Sequence, residues 1–213
     1  MRNLLILFGV LLLAASCEKD PDYDKIDANL AVYTDHDKAT DFTKFKTYYL
    51  PDSILEASSR HASYWKDENA QELISTVASN MDKMGYKRIT DPKQKDNADI
   101  GLQMSYVAQN TQVVTGGDFG GWWDYGFWGP WWGGWYYPYP VVYSYDTNAL
   151  IIEMVDLSAN NDGKEHGKLP VVWYASASGF NYSSRYNQKL LTNAIDQAFS
   201  QSAYLNKSNT ENK

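Results

Sequence analysis

Alternation of apolar and polar residues predicts five strands along the chain. Residues on one face of a strand recur at every second position, because successive side chains point to opposite sides. This spacing occurs in residues 28–33, 42–50, 100–109, 150–154 and 171–177. Pro51 ends the second strand, since proline lacks the amide hydrogen that a sheet ladder needs. Residues 52–66 are predicted to be a loop, and the polar residues 91–97 to be a turn.

Two other stretches carry the three- and four-residue spacing of an amphipathic helix. Their apolar faces consist of Ala70, Leu73, Ile74, Val77, Ala78, Met81 and Met84 in the first, and of Leu190, Leu191, Ala194, Ile195, Ala198 and Phe199 in the second. Asp67 and Asn187 are expected to cap these helices, because their side-chain oxygens accept from the free amides of a first turn. Gly85 suits the left-handed residue that follows a helix end.

The order of these elements predicts an α+β fold: a mostly antiparallel sheet with two helices packed on one face and a long Gly/aromatic insert. The last two strands should form a hairpin, because the turn-forming residues 160–163 lie between them. Residues 27–205 are long enough for a single domain. The insert occupies 111–145 of that domain, and 206–213 is a polar tail.

The N-terminus has the pattern of a bacterial lipoprotein signal. A short basic start precedes twelve apolar or small residues. A helix of that length reaches about 18 Å, well short of the ~30 Å hydrocarbon core. Residues 1–16 are therefore interpreted as a signal peptide and not as a membrane span. The sequence Ala14-Ala15-Ser16 followed by Cys17 resembles the lipobox, which implies cleavage before Cys17 and acylation of that residue, with palmitate among the acyl chains.

Residues 17–26 follow as an acidic tether, because they are charged, contain a proline and lack a period. The tether is either a plain spacer or a surface-export signal of the kind found in some Gram-negative lineages. Two or more acyl chains anchor a protein stably, so Cys17 alone suffices for membrane attachment. The expected location is the Gram-negative cell envelope, at the outer membrane, with the periplasmic or surface-facing side left open.

Composition singles out the insert. Of the 32 aromatic residues, 14 lie between 119 and 145, and eight glycines between 116 and 134 oppose a helix. The apolar surface of so many rings is larger than the exposed apolar patch that a soluble monomer tolerates. The insert is therefore expected to fold back or self-associate, to bind a glycan, to contact the membrane or to bind another protein. The candidate contact residues are Trp122, Trp123, Trp128, Trp131, Trp132, Trp135, Tyr136 and Tyr137.

Charge and reactive side chains narrow the possible functions. A net charge of −7 without a Lys/Arg cluster argues against nucleic acid as a partner. The single cysteine, Cys17, excludes an internal disulfide framework and a cysteine-based zinc finger. His36, His61 and His166 lack metal-ligand spacing, and no metal or cofactor is expected.

No catalytic constellation is assigned. Asp118 and Asp124 are the charged residues of the insert. Paired carboxylates among aromatic rings can cleave a glycosidic bond, but bonding to turn amides is the favoured role here. Ser176 and Ser178 lack the leading glycine of a nucleophile elbow and are expected on the outer face of a strand. The protein is therefore interpreted as a non-enzyme.

Four segments together resemble a known family, the bacterial lipoproteins of domain-of-unknown-function family 4136. They are residues 37–48, residues 84–86 with 97–100, residues 149–156 with 171–175, and residues 195–199. Members often carry a Gly/Trp/Tyr-rich stretch in the middle, as this chain does. The chain departs from the family at Tyr174, where a basic residue is usual. The resemblance implies a cell-envelope lipoprotein and brings no activity or catalytic residue with it.

The sequence thus favours a lipid-anchored envelope protein that acts as a structural or interaction module. The membrane would be bound through lipidated Cys17, and the insert would serve self-association or an envelope protein partner. The alternative is a glycan-binding module that stacks sugars on the insert. On the first interpretation, deletion of residues 116–143 is expected to leave a folded domain and to abolish association with its partner.

Overall fold

The computed structural model describes eight ranges of the chain. They are residues 31–57, 63–107, 114–115, 124–128, 134–143, 148–159, 168–180 and 188–207. The predicted signal peptide, the whole tether with Cys17 and most of the tail lie outside these ranges, as does the 160–163 turn. No helix within the described residues is long and apolar enough to cross a membrane.

Eleven strands are present among the described residues. They are β1 Ala31–His36, β2 Thr47–Tyr49, β3 Ile54–Ala57, β4 Ser63–Trp65, β5 Lys87–Ile89, β6 Ile100–Val107, β7 Val114–Thr115, β8 Trp135–Tyr136, β9 Val142–Tyr143, β10 Asn148–Asp156 and β11 Leu169–Phe180. The helices are α1 Glu68–Lys83, α2 Tyr125–Trp128 and α3 Gln188–Gln201. Short 3-10 helices span Phe42–Lys44, Pro92–Asn97 and Ala203–Leu205.

Nine of these strands form one sheet, whose main order is β1-β11-β10-β6-β2-β5. Neighbours are antiparallel from β1 through β11 and β10 to β6, which confirms the predicted β10–β11 hairpin. β2 and β3 lie parallel to β6, and β5 lies parallel to β2. The α+β class is confirmed, but the sheet is mixed, because α1 carries the chain back across the sheet before β5 and β6 begin.

Both long helices pack on one face of the sheet, as predicted. The Asp67 carboxylate accepts from the Ala70 amide at 3.0 Å and caps α1, and Gly85 has φ +91° just after the helix end. The helices contribute buried apolar residues that meet the even-numbered residues of β6 and β10 in one core cluster. Its central members are Leu73, Ile74, Val77, Met81, Leu102, Met104, Ile152, Met154, Ile195 and Phe199.

Three local expectations were wrong. The 42–50 strand begins only at Thr47, because Asp41 accepts from the Thr43 amide and caps a 3-10 turn first. The 52–66 segment contains the β3–β4 hairpin, in which Ile54 and Leu55 are both buried and so show no alternation. The three-residue strand β5 was also missed, because it is too short to show a period.

The two central strands are buried on both faces. Every residue of β6 and of β10 is buried, including the polar residues that alternate with the apolar ones. In β6 these are Gln103, which is 3 % exposed, and Ser105, which is 0 % exposed. The face opposite α1 and α3, here called the second face, is therefore covered by another part of the chain.

Candidate interaction site: the insert on the second face

The described part of the insert covers the second face. Its buried side chains form a second core cluster with residues of the sheet and residues that flank the sheet. The insert members of that cluster are Trp128, Trp135, Tyr137 and Val141, and the sheet members are Tyr49, Val107, Ala149, Ile151, Val155, Leu169, Val171 and Tyr174. The insert is thus a third layer of the fold over the described residues, after the helices and the sheet.

Trp128 docks closely on β6. Its indole Nε1 donates to Gln103 Oε1 at 3.0 Å, and Gln103 in turn donates to Ser105 Oγ at 3.0 Å. A Cβ at Gly101 would lie 2.9 Å from Trp128 Cη2, so the ring occupies the space that only glycine leaves open. A polar row that would otherwise be solvated is therefore used to fix the position of the ring.

Helix α2, which carries Trp128, is itself held at both ends. Asp124 accepts from the Phe127 amide at 3.1 Å and from the Tyr64 hydroxyl at 2.8 Å. The Phe127 carbonyl accepts from Lys95 Nζ, whose ammonium also lies 4.8 Å from the centre of the Phe127 ring. Asp124 is therefore a capping residue in this structure, as the favoured interpretation of its sequence position expected.

Trp135 anchors the insert near the start of β11. β8 runs parallel to the first residues of β11, and the Leu169 amide donates to the Gly134 carbonyl at 3.0 Å. Gly134 has a backbone φ of +98°, which residues other than glycine rarely adopt. The Trp135 side chain is fully buried, so this contact is part of the core.

Tyr137 reaches a buried carboxyl in the middle of the sheet. Its hydroxyl donates to Glu153 Oε1, and its ring meets Tyr174 edge-on with centroids 6.1 Å apart. Glu153 is 0 % exposed. Burial raises the pKa of Glu153 to about 7, and the hydrogen bond from Tyr137 acts in the opposite direction.

Sequence reasoning missed Glu153 and Gln103 as residues of this site. The strand register places Gln103, Glu153 and Tyr174 side by side in a row across the second face. One signal was available: Glu153 is a lone carboxylate inside an apolar run. Charged side chains are almost never fully buried unless they have a partner, so such a residue predicts a polar contact from a covering element.

The structure places half of the candidate contact residues. Trp128 and Trp135 are buried, Tyr137 is 5 % exposed, and Tyr136 is half-buried. These four lie along the same covering layer. Cys17 and the other candidates lie outside the described residues, namely Trp122, Trp123, Trp131 and Trp132.

The histidine, serine and aspartate residues considered for catalysis or metal binding can now be located in part. His36 stacks on Tyr204 with centroids 3.8 Å apart. Ser176 was expected on an outer face but is buried. No group of three or more potential metal ligands exists among the described residues. His61, His166 and Asp118 lie outside those residues.

The family model of the domain of unknown function DUF4136 matches residues 32–202. The chain belongs to the DUF4136 family. Among solved structures, a DUF4136 protein from Bacteroides thetaiotaomicron VPI-5482 is 41 % identical, with a TM-score of 0.66 over 84 % of this chain and 98 % of that one. The comparison with curated proteins found no match.

Two PelC dodecamer structures from Paraburkholderia phytofirmans also resemble this chain. They are 19 % and 17 % identical to it, with TM-scores of 0.39 and 0.36. The two matches span 83 % and 82 % of this chain, and 98 % and 97 % of the respective PelC chains.

Two carboxylates stabilise the sheet where β6 begins and β10 ends: Asp99 and Asp156. Asp99 Oδ2 accepts from the amides of Lys46 and Thr47 at 2.8 and 2.9 Å, and these bonds lower the pKa of Asp99 against the effect of its partial burial. Asp156 accepts from Lys44 Nζ at 3.0 Å and from the Ser158 amide at 2.9 Å. In this DUF4136 protein, Asp99 and Asp156 thus tie strand ends to turns.

Proposed function

We propose that this DUF4136 protein is a lipid-anchored, non-enzymatic module of the Gram-negative cell envelope, which associates with another envelope protein or with a second copy through its insert. One observation carries the interaction part: the insert is fixed to the second face by Trp128, Trp135 and Tyr137. Trp131 and Trp132 lie between two of these buried residues in sequence. Fixing the ends of such a segment lowers the entropy that a partner must remove on binding.

The non-enzymatic part is supported by how the described carboxylates are used. Asp99 and Asp156 hold strand ends, Asp124 caps α2, and Glu153 receives Tyr137. Each of these groups has a role in holding the fold. The proposal assigns them no chemistry beyond that role.

Membrane attachment is proposed to depend on Cys17. We expect Cys17→Ser to abolish labelling by radioactive palmitate and to move the protein out of the membrane fraction, because the thiol that carries an acyl chain is lost. Ser16→Ala keeps a small residue before the cleavage site and should change neither readout. Unchanged labelling of the Cys17→Ser protein would refute lipidation at this residue.

Partner association is tested at the tryptophan pair between the buried residues. We expect Trp131→Ser combined with Trp132→Ser to reduce chemical cross-linking of the protein to its neighbours in intact cells by at least about tenfold, since aromatic residues dominate interface energies. The control is Tyr204→Ser, an exposed ring outside the insert. Equal cross-linking in the double variant and the wild type would contradict a role for this pair.

The glycan-binding alternative rests on the composition of the insert, in which tryptophans alternate with glycine and aspartate. It is distinguished by titrating purified protein with soluble peptidoglycan fragments and polysaccharides while tryptophan fluorescence is recorded. Saturable quenching that the same double variant loses, together with unchanged cross-linking, would favour the glycan over the protein partner.

A further inference from the structure

Glu153 is the buried acid of the second face, and its position is unusual among the carboxylates of the described residues. It lies in the middle of β10, below the insert, and no part of it reaches solvent. Oε1 accepts from the Tyr137 hydroxyl, whereas Oε2 has no hydrogen-bond partner among the described residues. A carboxylate is stable inside a protein only when several donors or a cation replace its water.

Among the residues that the structure describes, no cation acts on Glu153. Across the strand pairs it faces Tyr174 of β11 and Gln103 of β6, both of which are uncharged at neutral pH. The insert adds Tyr137 and also Tyr139, whose buried hydroxyl has no partner among the described residues either. On other elements, Asp35 of β1 and Asp37 of the turn after it act electrostatically on Tyr139, and both are acidic. On β10 itself, Asp156 is paired with Lys44.

We propose that Glu153 is a proton-controlled latch of the insert: protonated Glu153 keeps residues 134–143 docked on the second face, and its ionisation loosens them. In the docked state the ionised carboxylate has one donor among the described residues, Tyr137, in an apolar layer. In the loosened state water reaches the carboxylate and solvates it. Protonation therefore stabilises the docked state, and deprotonation favours the open one.

The direction and range of the effect follow from linkage. Burial raises the pKa of docked Glu153 to about 7, whereas a solvated glutamate titrates near 4.3. Docking is therefore strongest below about pH 4 and weakens as the pH rises to about 7, after which it stays constant. Between pH 5 and pH 8 the docking equilibrium should weaken on the order of 50- to 100-fold. The inference concerns docking alone and holds whether or not the insert binds a partner.

The test is hydrogen exchange, followed by mass spectrometry, on the full chain from pH 5 to pH 8. We expect the protection factor of residues 134–143, corrected for the intrinsic pH dependence of exchange, to fall on the order of 50- to 100-fold. Protection of α1 should stay constant. In Glu153→Gln, which mimics the protonated acid, residues 134–143 should stay protected at every pH. The matched control is Glu72→Gln on the exposed side of α1, which should behave as wild type.

A second variant keeps the test decisive if Glu153→Gln does not fold. Tyr137→Phe removes the donor that lowers the Glu153 pKa, so the midpoint of the pH-dependent loss should move upward. Equal protection of 134–143 at pH 5 and pH 8 in the wild type would overturn the latch. A pH dependence that persists unchanged in Glu153→Gln would assign it to another group and would overturn the proposal as well.

Discussion

Trp128→Ala should lower the free energy of unfolding by about 3–5 kcal/mol, the range for truncation of a buried tryptophan. The ring is 2 % exposed and packs edge-on against Tyr49, with centroids 6.2 Å apart. The variant also leaves Gln103 Oε1 buried without the indole donor, which adds to the loss. Urea denaturation followed by far-UV circular dichroism measures the difference.

The control for this variant is Tyr33→Ala. Tyr33 is also a large aromatic residue, but it is 42 % exposed and lies on the edge strand β1. We expect this change to cost less than about 1 kcal/mol, as is usual for exposed positions. Equal costs for the two variants would show that Trp128 contributes no more than a surface ring.

Gly101→Ala should destabilise the protein by about 1–3 kcal/mol, the range for overpacking a core. The new methyl group would lie 2.9 Å from Trp128 Cη2 and 3.3 Å from Leu157 Cδ2. The sign is informative, because replacing a strand glycine by alanine without a clash would stabilise a protein by about 0.4–1 kcal/mol. Thermal unfolding of the two proteins at equal concentration gives the comparison.

A double-variant cycle isolates the contact that Gly101 permits. When Trp128→Leu removes the outer ring atoms, the added methyl group has room, and the cost of Gly101→Ala should largely disappear. The coupling energy between the two positions should therefore lie between about 0.5 and 3 kcal/mol. Additive effects would mean that Trp128 does not press on Gly101.

The helices and the long strands were predictable because their periods report which face meets the core. The spacing of Leu73, Val77 and Met81 predicted α1, and the residue type of Asp67 alone predicted its N-terminal cap. Short elements such as β5 and the β3–β4 hairpin were not predictable, since three or four residues show no period. Their positions are set by pairing with β2 and β6, which are distant in sequence.

The site was only partly predictable for a related reason. Gln103 and Ser105 alternate with apolar residues in β6, a pattern typical of a strand with one solvated face. In the structure that face is buried under the insert, and the Trp128 indole donates a hydrogen bond to the Gln103 side chain. The sequence singled out the insert by its composition but could not show which of its rings turn inward. The expectation that the domain folds without residues 116–143 is revised accordingly, because deletion would expose the second face.

Over residues 134–143, the insert forms a layer of the fold. Hydrogen exchange at pH 6 checks this by comparing backbone amides of 134–143 with those of β10, Asn148–Asp156. If the insert is a docked layer, both segments should be protected by several orders of magnitude over unfolded peptides at this pH, because both are packed in the core. Exchange of 134–143 at the rate of an unfolded peptide, with β10 still protected, would contradict the claim.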